Sequence, residues 1–256
     1  METSVAARGR FLWYDLVTND LPAAHGFYNS VVGWNTQPFG EDYIMWVADG
    51  APVGGSMDAK NIEGNPPPHW LVFIGTDDID STLTDVEARG GKVVSPAQEL
   101  PEVGRWALCQ DPQGAFFMAF EPASAAEPSA SSFGHMVWNE LSTSDPAAAL
   151  GFYRGLFGWT EHDAIDMGPD GLYQLFGGAD GPTGGVFPIG EQPIPPSWTP
   201  YVHVRDIDTA VESVRDGGGT VMHGPIEVPT GDRVAVCADP QGAVFGMSQS
   251  PVSDGR

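Results

Sequence analysis

Two short stretches carry the residues with the most chemical promise, Trp13-Tyr14-Asp15-Leu16 and Trp138-Asn139-Glu140-Leu141. Each places a carboxylic acid two positions after a tryptophan, and the stretches lie 125 positions apart. Residues two apart in a strand point to the same face, so Trp13, Asp15 and Val17 share a face, as do Trp138, Glu140 and Ser142. A carboxyl group in partly apolar surroundings has its pKa raised and can act as a general acid or base. The alternative is a structural hydrogen bond to a turn or to an arginine of a neighbouring strand. A second set lies in 199–204, where Thr199, Tyr201 and His203 alternate onto one face. Their first-half counterparts include Phe73 and Gly75, which neither ionise nor coordinate. A lone histidine on a strand is more often a satisfied polar group than a catalyst, and its two polar companions on the same face favour the second reading. Arg105 and Arg233, 128 apart, each precede an Asp-Pro turn by six positions. Such arginines pair with a fixed acid or with a ligand carboxylate.

The elements that position these residues are written twice. Trp13, Asp15, Leu16, Thr18, Asp20, Gly26, Phe27, Tyr28, Gly33 and Trp34 recur as Trp138, Glu140, Leu141, Thr143, Asp145, Gly151, Phe152, Tyr153, Gly158 and Trp159. A fixed internal offset marks a repeated architecture. Residues 11–18 alternate as a strand. Asn19-Asp20-Leu21-Pro22 gives an N-cap and a first-turn proline, which predicts a helix over 23–32 stopped by Gly33. Short strands over 34–39, 43–48 and 53–57 complete a βαβββ unit, or module. The second module reads as strand 70–75, helix 81–88 and strands 92–95, 105–110 and 115–121, with Asp111-Pro112-Gln113-Gly114 joining the last two. The third reads as strand 136–143, helix 147–157 and strands 159–162, 173–177 and 185–189. The fourth reads as strand 199–204, helix 208–216 and strands 220–223, 233–238 and 243–248, with Asp239-Pro240-Gln241-Gly242 as its turn. The offset drifts from 125 to 130 at Gly54-Gly55 and Gly184-Gly185 and settles at 128 from Trp70 and Trp198 onward, as loop insertions would cause. The fold class is therefore α+β, four βαβββ modules in two tandem domains, 1–121 and 133–256. A Pro/Ala/Ser linker, 122–132, joins them.

With 41% hydrophobic and 11% aromatic residues, each half can build a core. Two Lys and nine Arg stand against 34 acids, a net charge of −23. That charge disfavours nucleic acid and anionic membranes and leaves a small molecule as the expected partner. No stretch has transmembrane length and the first ten residues lack a signal-peptide core, so a cytoplasmic location is expected. Cys109 and Cys237 occupy equivalent positions in the halves and read as two buried thiols rather than a disulfide. A catalytic cysteine has no basic residue close in sequence to support it.

Tandem βαβββ modules, with Asp-Pro-Gln-Gly before the closing strand of each pair, resemble the vicinal oxygen chelate superfamily. This is the group of glyoxalase I, extradiol dioxygenases and bleomycin-binding proteins. The Trp-x-acid-Leu…Phe-Tyr…Gly-Trp pattern is most similar to its two-domain actinobacterial glyoxalase-like branch. The resemblance implies cup-shaped sheets, flanked by helices, whose concave faces hold a substrate. It also implies metal ligands on the first strand of each module and seven residues after the Asp of the Asp-Pro turn. Those positions are Trp13, Leu71 and Met118 in the first half and Trp138, Thr199 and Gly246 in the second. None is a usual divalent-metal ligand, so no metal or other cofactor is expected.

By the same resemblance, Glu140, Tyr201 and His203 line the second cup as its expected catalytic residues. Trp138, Thr199 and Arg233, and in the first half Trp13, Asp15, Phe73 and Arg105, are the expected substrate contacts. The two tryptophans would offer flat walls to an aromatic or polycyclic ligand. Three functions remain open. One is a metal-independent lyase, isomerase or cyclase acting on a carbonyl-bearing or aromatic molecule. Another is a non-catalytic, drug- or metabolite-sequestering protein. The third is a metal enzyme with other ligands. The chain would act as a monomer or homodimer.

Overall fold

A computed structural model describes residues 7–124, 132–190 and 194–251, so most of the expected linker lies outside the described residues. In the first half, β1 (Phe11–Thr18), α1 (Leu21–Val32), β2 (Asn35–Pro38), β3 (Ile44–Ala48) and β4 (Ala51–Asp58) form the first module. The second comprises β5 (His69–Gly75), α2 (Ile79–Ala88), β6 (Lys92–Val93), β7 (Gln98–Leu100), β8 (Gly104–Gln110) and β9 (Phe116–Pro122). The second half repeats the pattern with β10 (Met136–Thr143), α3 (Pro146–Phe157), β11 (Thr160–Asp166), β12 (Leu172–Gly178) and β13 (Gly181–Pro188). It closes with β14 (Ser197–His203), α4 (Ile207–Asp216), β15 (Thr220–Glu227), β16 (Arg233–Ala238) and β17 (Val244–Gln249). Strand order is β2-β3-β4-β1-β5-β9-β8-β6 in one sheet and β11-β12-β13-β10-β14-β17-β16-β15 in the other, with β7 pairing β8. The halves thus share one topology and the fold is α+β. The short β7 is the element that sequence patterning does not mark.

The helices begin where side chains supply the missing acceptor. Asp20, Asp78 and Asp145 accept from the backbone N–H three residues on, and Asp206 accepts from Asp208 and Thr209. The helices α1 and α3 end at Gly33 (φ 77°) and Gly158 (φ 74°), which take the left-handed cap that glycine adopts without strain.

Packing divides the chain into two compact units. The first takes the described residues of Met1–Trp13, Leu71–Ser129 and Asn139–Trp198; the second takes those of Tyr14–Trp70, Ala130–Trp138 and Thr199–Arg256. Each unit has an aromatic core. In the first, Tyr153, Trp159, Phe176 and Trp198 pack with Phe11. In the second, Tyr28, Trp34, Trp46, Trp70 and Phe245 pack together.

A hydrogen-bonded relay of the same composition runs through each core. In the second unit Trp70 Nε1 donates to Tyr28 Oη at 3.1 Å, and Tyr28 Oη donates to Asp239 Oδ2 at 3.2 Å. In the first, Trp198 Nε1 donates to Tyr153 Oη and Tyr153 Oη to Asp111 Oδ2, both at 3.1 Å. These aspartates begin the Asp-Pro-Gln-Gly turns. Asp111 Oδ1 also accepts the N–H groups of Gln113, Gly114 and Ala115, and Asp239 Oδ1 those of Gln241 and Ala243. Burial raises both carboxyl pKa values against the pull of those donors. Burial, reinforced by the facing carboxylate, puts both tyrosines well above the ordinary phenol range. The cysteines are free and buried, their thiols pushed up to about 12 (Cys109) and about 11 (Cys237), so they are protonated and inert at neutral pH.

Replacing Tyr28 or Tyr153 by Phe should cost about 1–3 kcal/mol, because a buried indole N–H and a carboxylate oxygen each lose a partner. The alkaline limb of stability should also change. The folded phenol titrates above its ordinary value of 10.0. Its contribution is therefore complete below that pH and falls away as pH rises past it, where the unfolded chain releases the proton first. Denaturant unfolding between neutral and strongly alkaline pH should show a shallower alkaline decline in each variant. An unchanged slope would remove the phenols as its cause.

Candidate functional site

Both acids that follow a tryptophan are held by a tyrosine. Asp15 pairs in register with Gly55 across β1 and β4. Tyr43, just before β3, lies over Gly55, whose missing side chain leaves room for the ring. Its hydroxyl donates to Asp15 Oδ1 at 2.5 Å. The second half repeats the arrangement. Glu140 faces Gly185 across β10 and β13, Tyr173 of β12 lies over Gly185, and Tyr173 Oη donates to Glu140 Oε2 at 2.9 Å. The preceding glycines serve the core, since a side chain on Gly54 or Gly184 would strike the carbonyl of Tyr14 or Asn139. The Gly-Gly pairs and the tyrosines share the offset of 130, which is the signal that would have exposed Tyr43 and Tyr173 as partners of the acids. The copies differ in access: Asp15 is only 3% exposed, whereas Glu140 is half-buried.

On β14, Thr199 and His203 are half-buried and Tyr201 is buried. Tyr201 pairs in register with Gly246 of β17, and its ring occupies the space a side chain there would fill. In the first half, Phe73 pairs with Met118. The positions at which metal-binding relatives carry ligands therefore offer two indoles, a leucine, a thioether, a hydroxyl and a glycine covered by a ring. The described residues contain no group of three His, Cys, Asp or Glu side chains able to hold an ion. This donor set does not fit a divalent metal at the family position.

The repeated arginines are tied to helix acids. Arg105 makes a two-pronged contact with Asp80, both arms at 2.9 Å, and approaches Glu121 at 3.5 Å. Arg233 grips Asp208 at 2.7 and 2.9 Å. The guanidinium groups hold both aspartates, one in the first turn of α2 and the other in that of α4, below the usual carboxylate range. His25 is half-buried. Its Nε2 lies 3.0 Å from Ser56 Oγ, its ring stands edge-on to Trp46, and burial lowers its pKa. Five of the eight tryptophans are buried, while Trp13, Trp106 and Trp138 are half-buried. Glu140, Trp13, Phe73 and Arg105 belong to the first compact unit; Asp15, Trp138, Thr199, Tyr201, His203 and Arg233 belong to the second.

The model of the Glyoxalase/Bleomycin resistance protein/Dioxygenase superfamily matches residues 10–118 and 132–247. Among curated proteins, the chain is 32% identical over 243 residues to CFP32 of Mycobacterium tuberculosis, which its name provisionally describes as a glyoxylase, covering 92% of both chains. It is 28% identical over 260 residues to the anthracycline biosynthesis protein DauV of a Streptomyces species, covering 94% of this chain and 93% of DauV. Among solved structures, a Mn(II)-bound glyoxalase from Novosphingobium aromaticivorans shares the fold, with a TM-score of 0.69 at 16% identity over 96% of this chain and 83% of that one.

The ring-on-glycine packing is open to test. Gly246→Ala should destabilise by about 1–3 kcal/mol through overpacking against Tyr201. Combined with Tyr201→Ala, it should cost measurably less than the sum of the single changes, since the removed ring makes room for the new methyl group. Strict additivity in denaturant unfolding would contradict the packing described.

Proposed function

The chain belongs to the Glyoxalase/Bleomycin resistance protein/Dioxygenase superfamily, and from that premise we propose a metal-independent enzyme that moves protons on a carbonyl-bearing aromatic metabolite. Lyase, isomerase and cyclase reactions all fit that chemistry. The observation that carries the reading is the carboxylate–phenol pair of Glu140 and Tyr173. The phenol hydroxyl fixes the carboxylate's orientation, and a carboxylate so held is suited to take a proton from carbon beside a carbonyl. Glu140 is preferred over Asp15 because it is half-buried while Asp15 is sealed. Asp15 and Tyr43 then form the structural version of the same pair.

His203 is assigned as a proton-handling group of the second compact unit, while Tyr201, buried with its ring on Gly246, is by the criterion that sets Asp15 aside a packing residue. Ligand contacts are assigned within each unit by itself, Trp13 and Phe73 in the first and Trp138 and Thr199 in the second. The contacts of Arg105 and Arg233 with helix acids argue for structural roles for both. The donor chemistry at the family's metal positions supports a reaction without a metal. DauV is named for anthracycline biosynthesis, and half-buried indoles suit a flat polycyclic ketone of that kind. A protein that sequesters such a molecule would use the same walls.

Incubation with an anthracycline aglycone, followed by mass spectrometry, should show a modified product. Glu140→Gln should slow its formation by about 100-fold or more, in the range of general acid–base contributions, while unfolding curves remain cooperative. His203→Ala should also slow it. Wild-type rates in both variants would defeat the assignment. Tryptophan quenching with the aglycone recovered unchanged would point to sequestration instead.

A further inference from the structure

The C-terminal end of β14 differs from its first-half counterpart at three neighbouring places. Phe133, His203 and Arg205 stand where the first half has Arg8, Gly75 and Asp77. The backbone hydrogen bonds correspond in the two halves. Gly9 N–H donates to Gly75 O at 2.9 Å and Gly75 N–H to Arg10 O at 2.8 Å; Gly134 N–H donates to His203 O at 2.8 Å and His203 N–H to His135 O at 2.9 Å. In the first half a side chain at position 75 would strike the Ala7 carbonyl and Leu12. In the second half an imidazole occupies that position, and an aromatic ring lies against it.

The Phe133 centroid is 4.8 Å from that of His203, with the rings inclined by 36°. The guanidinium carbon of Arg205 lies 4.2 Å from the Phe133 centroid. All three residues belong to the second compact unit. Phe133 is 36% exposed. Beyond the burial of part of its surface, it makes contact with a cation and an imidazole, which an aromatic ring provides and an aliphatic side chain of similar bulk does not.

We propose that Phe133 is a positioning residue for His203. The ring limits rotation of the imidazole about its Cβ–Cγ bond and covers one of its faces, so that the nitrogens at the ring edge are presented in one orientation. Arg205 keeps Phe133 in place. The proposal rests on the reading of His203 as a proton-handling group. It adds that the geometry of that group depends on a residue that need not touch the ligand.

Nuclear magnetic resonance of the intact protein tests the stack without any ligand. The His203 imidazole proton signals, identified by their loss in His203→Ala, should be shifted upfield by the Phe133 ring current. They should move downfield in Phe133→Leu and stay in place in Phe133→Tyr. With the anthracycline aglycone, Phe133→Leu should lower kcat about tenfold and leave KM within about twofold, as misplacement of a reacting group does. Phe133→Tyr should restore most of the loss. Unmoved His203 signals in Phe133→Leu, or a wild-type kcat in that variant while His203→Ala is slow, would overturn the proposal. A wild-type rate in His203→Ala itself would instead overturn the underlying reading.

Discussion

A buried carboxylate must be fully partnered, and that constraint governs this architecture. Asp111 and Asp239 are 3% and 4% exposed. Each spends one oxygen on the backbone of its own turn and the other on a phenol from the helix of another module. A turn built on three or four local residues is thereby tied to a residue 42 positions away in one unit and 211 in the other. Losing the phenol would leave the turn's acceptor and the tryptophan's donor unsatisfied in an apolar core, where each costs more than the bond itself contributes. The Asp-Pro-Gln-Gly turns open the way into β9 and β17, the strands that carry Met118 and Gly246. Their register at the candidate site thus follows from a contact on the core side.

A second constraint is the packing of aromatic rings on glycine. Tyr43 on Gly55, Tyr173 on Gly185 and Tyr201 on Gly246 use the same device on three strand pairs. A phenol lying over a glycine cannot slide without meeting neighbouring side chains, so its hydroxyl is delivered to a fixed point. This explains how a position that holds a metal ligand in relatives comes to be glycine here. Its lost side chain is replaced in volume by the ring of Tyr201, a residue two strand positions beyond Thr199.

Local pattern made the elements, the caps and the duplication legible, because hydrophobic alternation, Asp before a helix and Gly after it act within a few residues. The tyrosines that hold Asp15 and Glu140 were not recovered, since their pairing depends on the register between β3 and β4, and between β12 and β13. A shared offset hints at that register but does not state it. The division of the chain into compact units escaped for a similar reason: Tyr28 and Asp239 are joined by side-chain hydrogen bonding between distant modules, which leaves no periodic trace.

The differences between the copies are carried on a shared pattern of backbone hydrogen bonds. His25 and Ser56 correspond to Leu150 and Val186, a polar pair against an apolar one. At the end of the first strand, Arg8 uses Nε and Nη2 to grip the carbonyl of Leu156 near the end of α3, a contact favoured by the negative end of the helix dipole. Its counterpart, Phe133, instead rests on His203. The same backbone position therefore anchors the chain in one copy and supports an imidazole in the other. Once a duplicated scaffold is held by its relays, one copy can keep a sealed acid such as Asp15. The other carries the longer Glu140 at that place, and its carboxylate is half-buried rather than sealed.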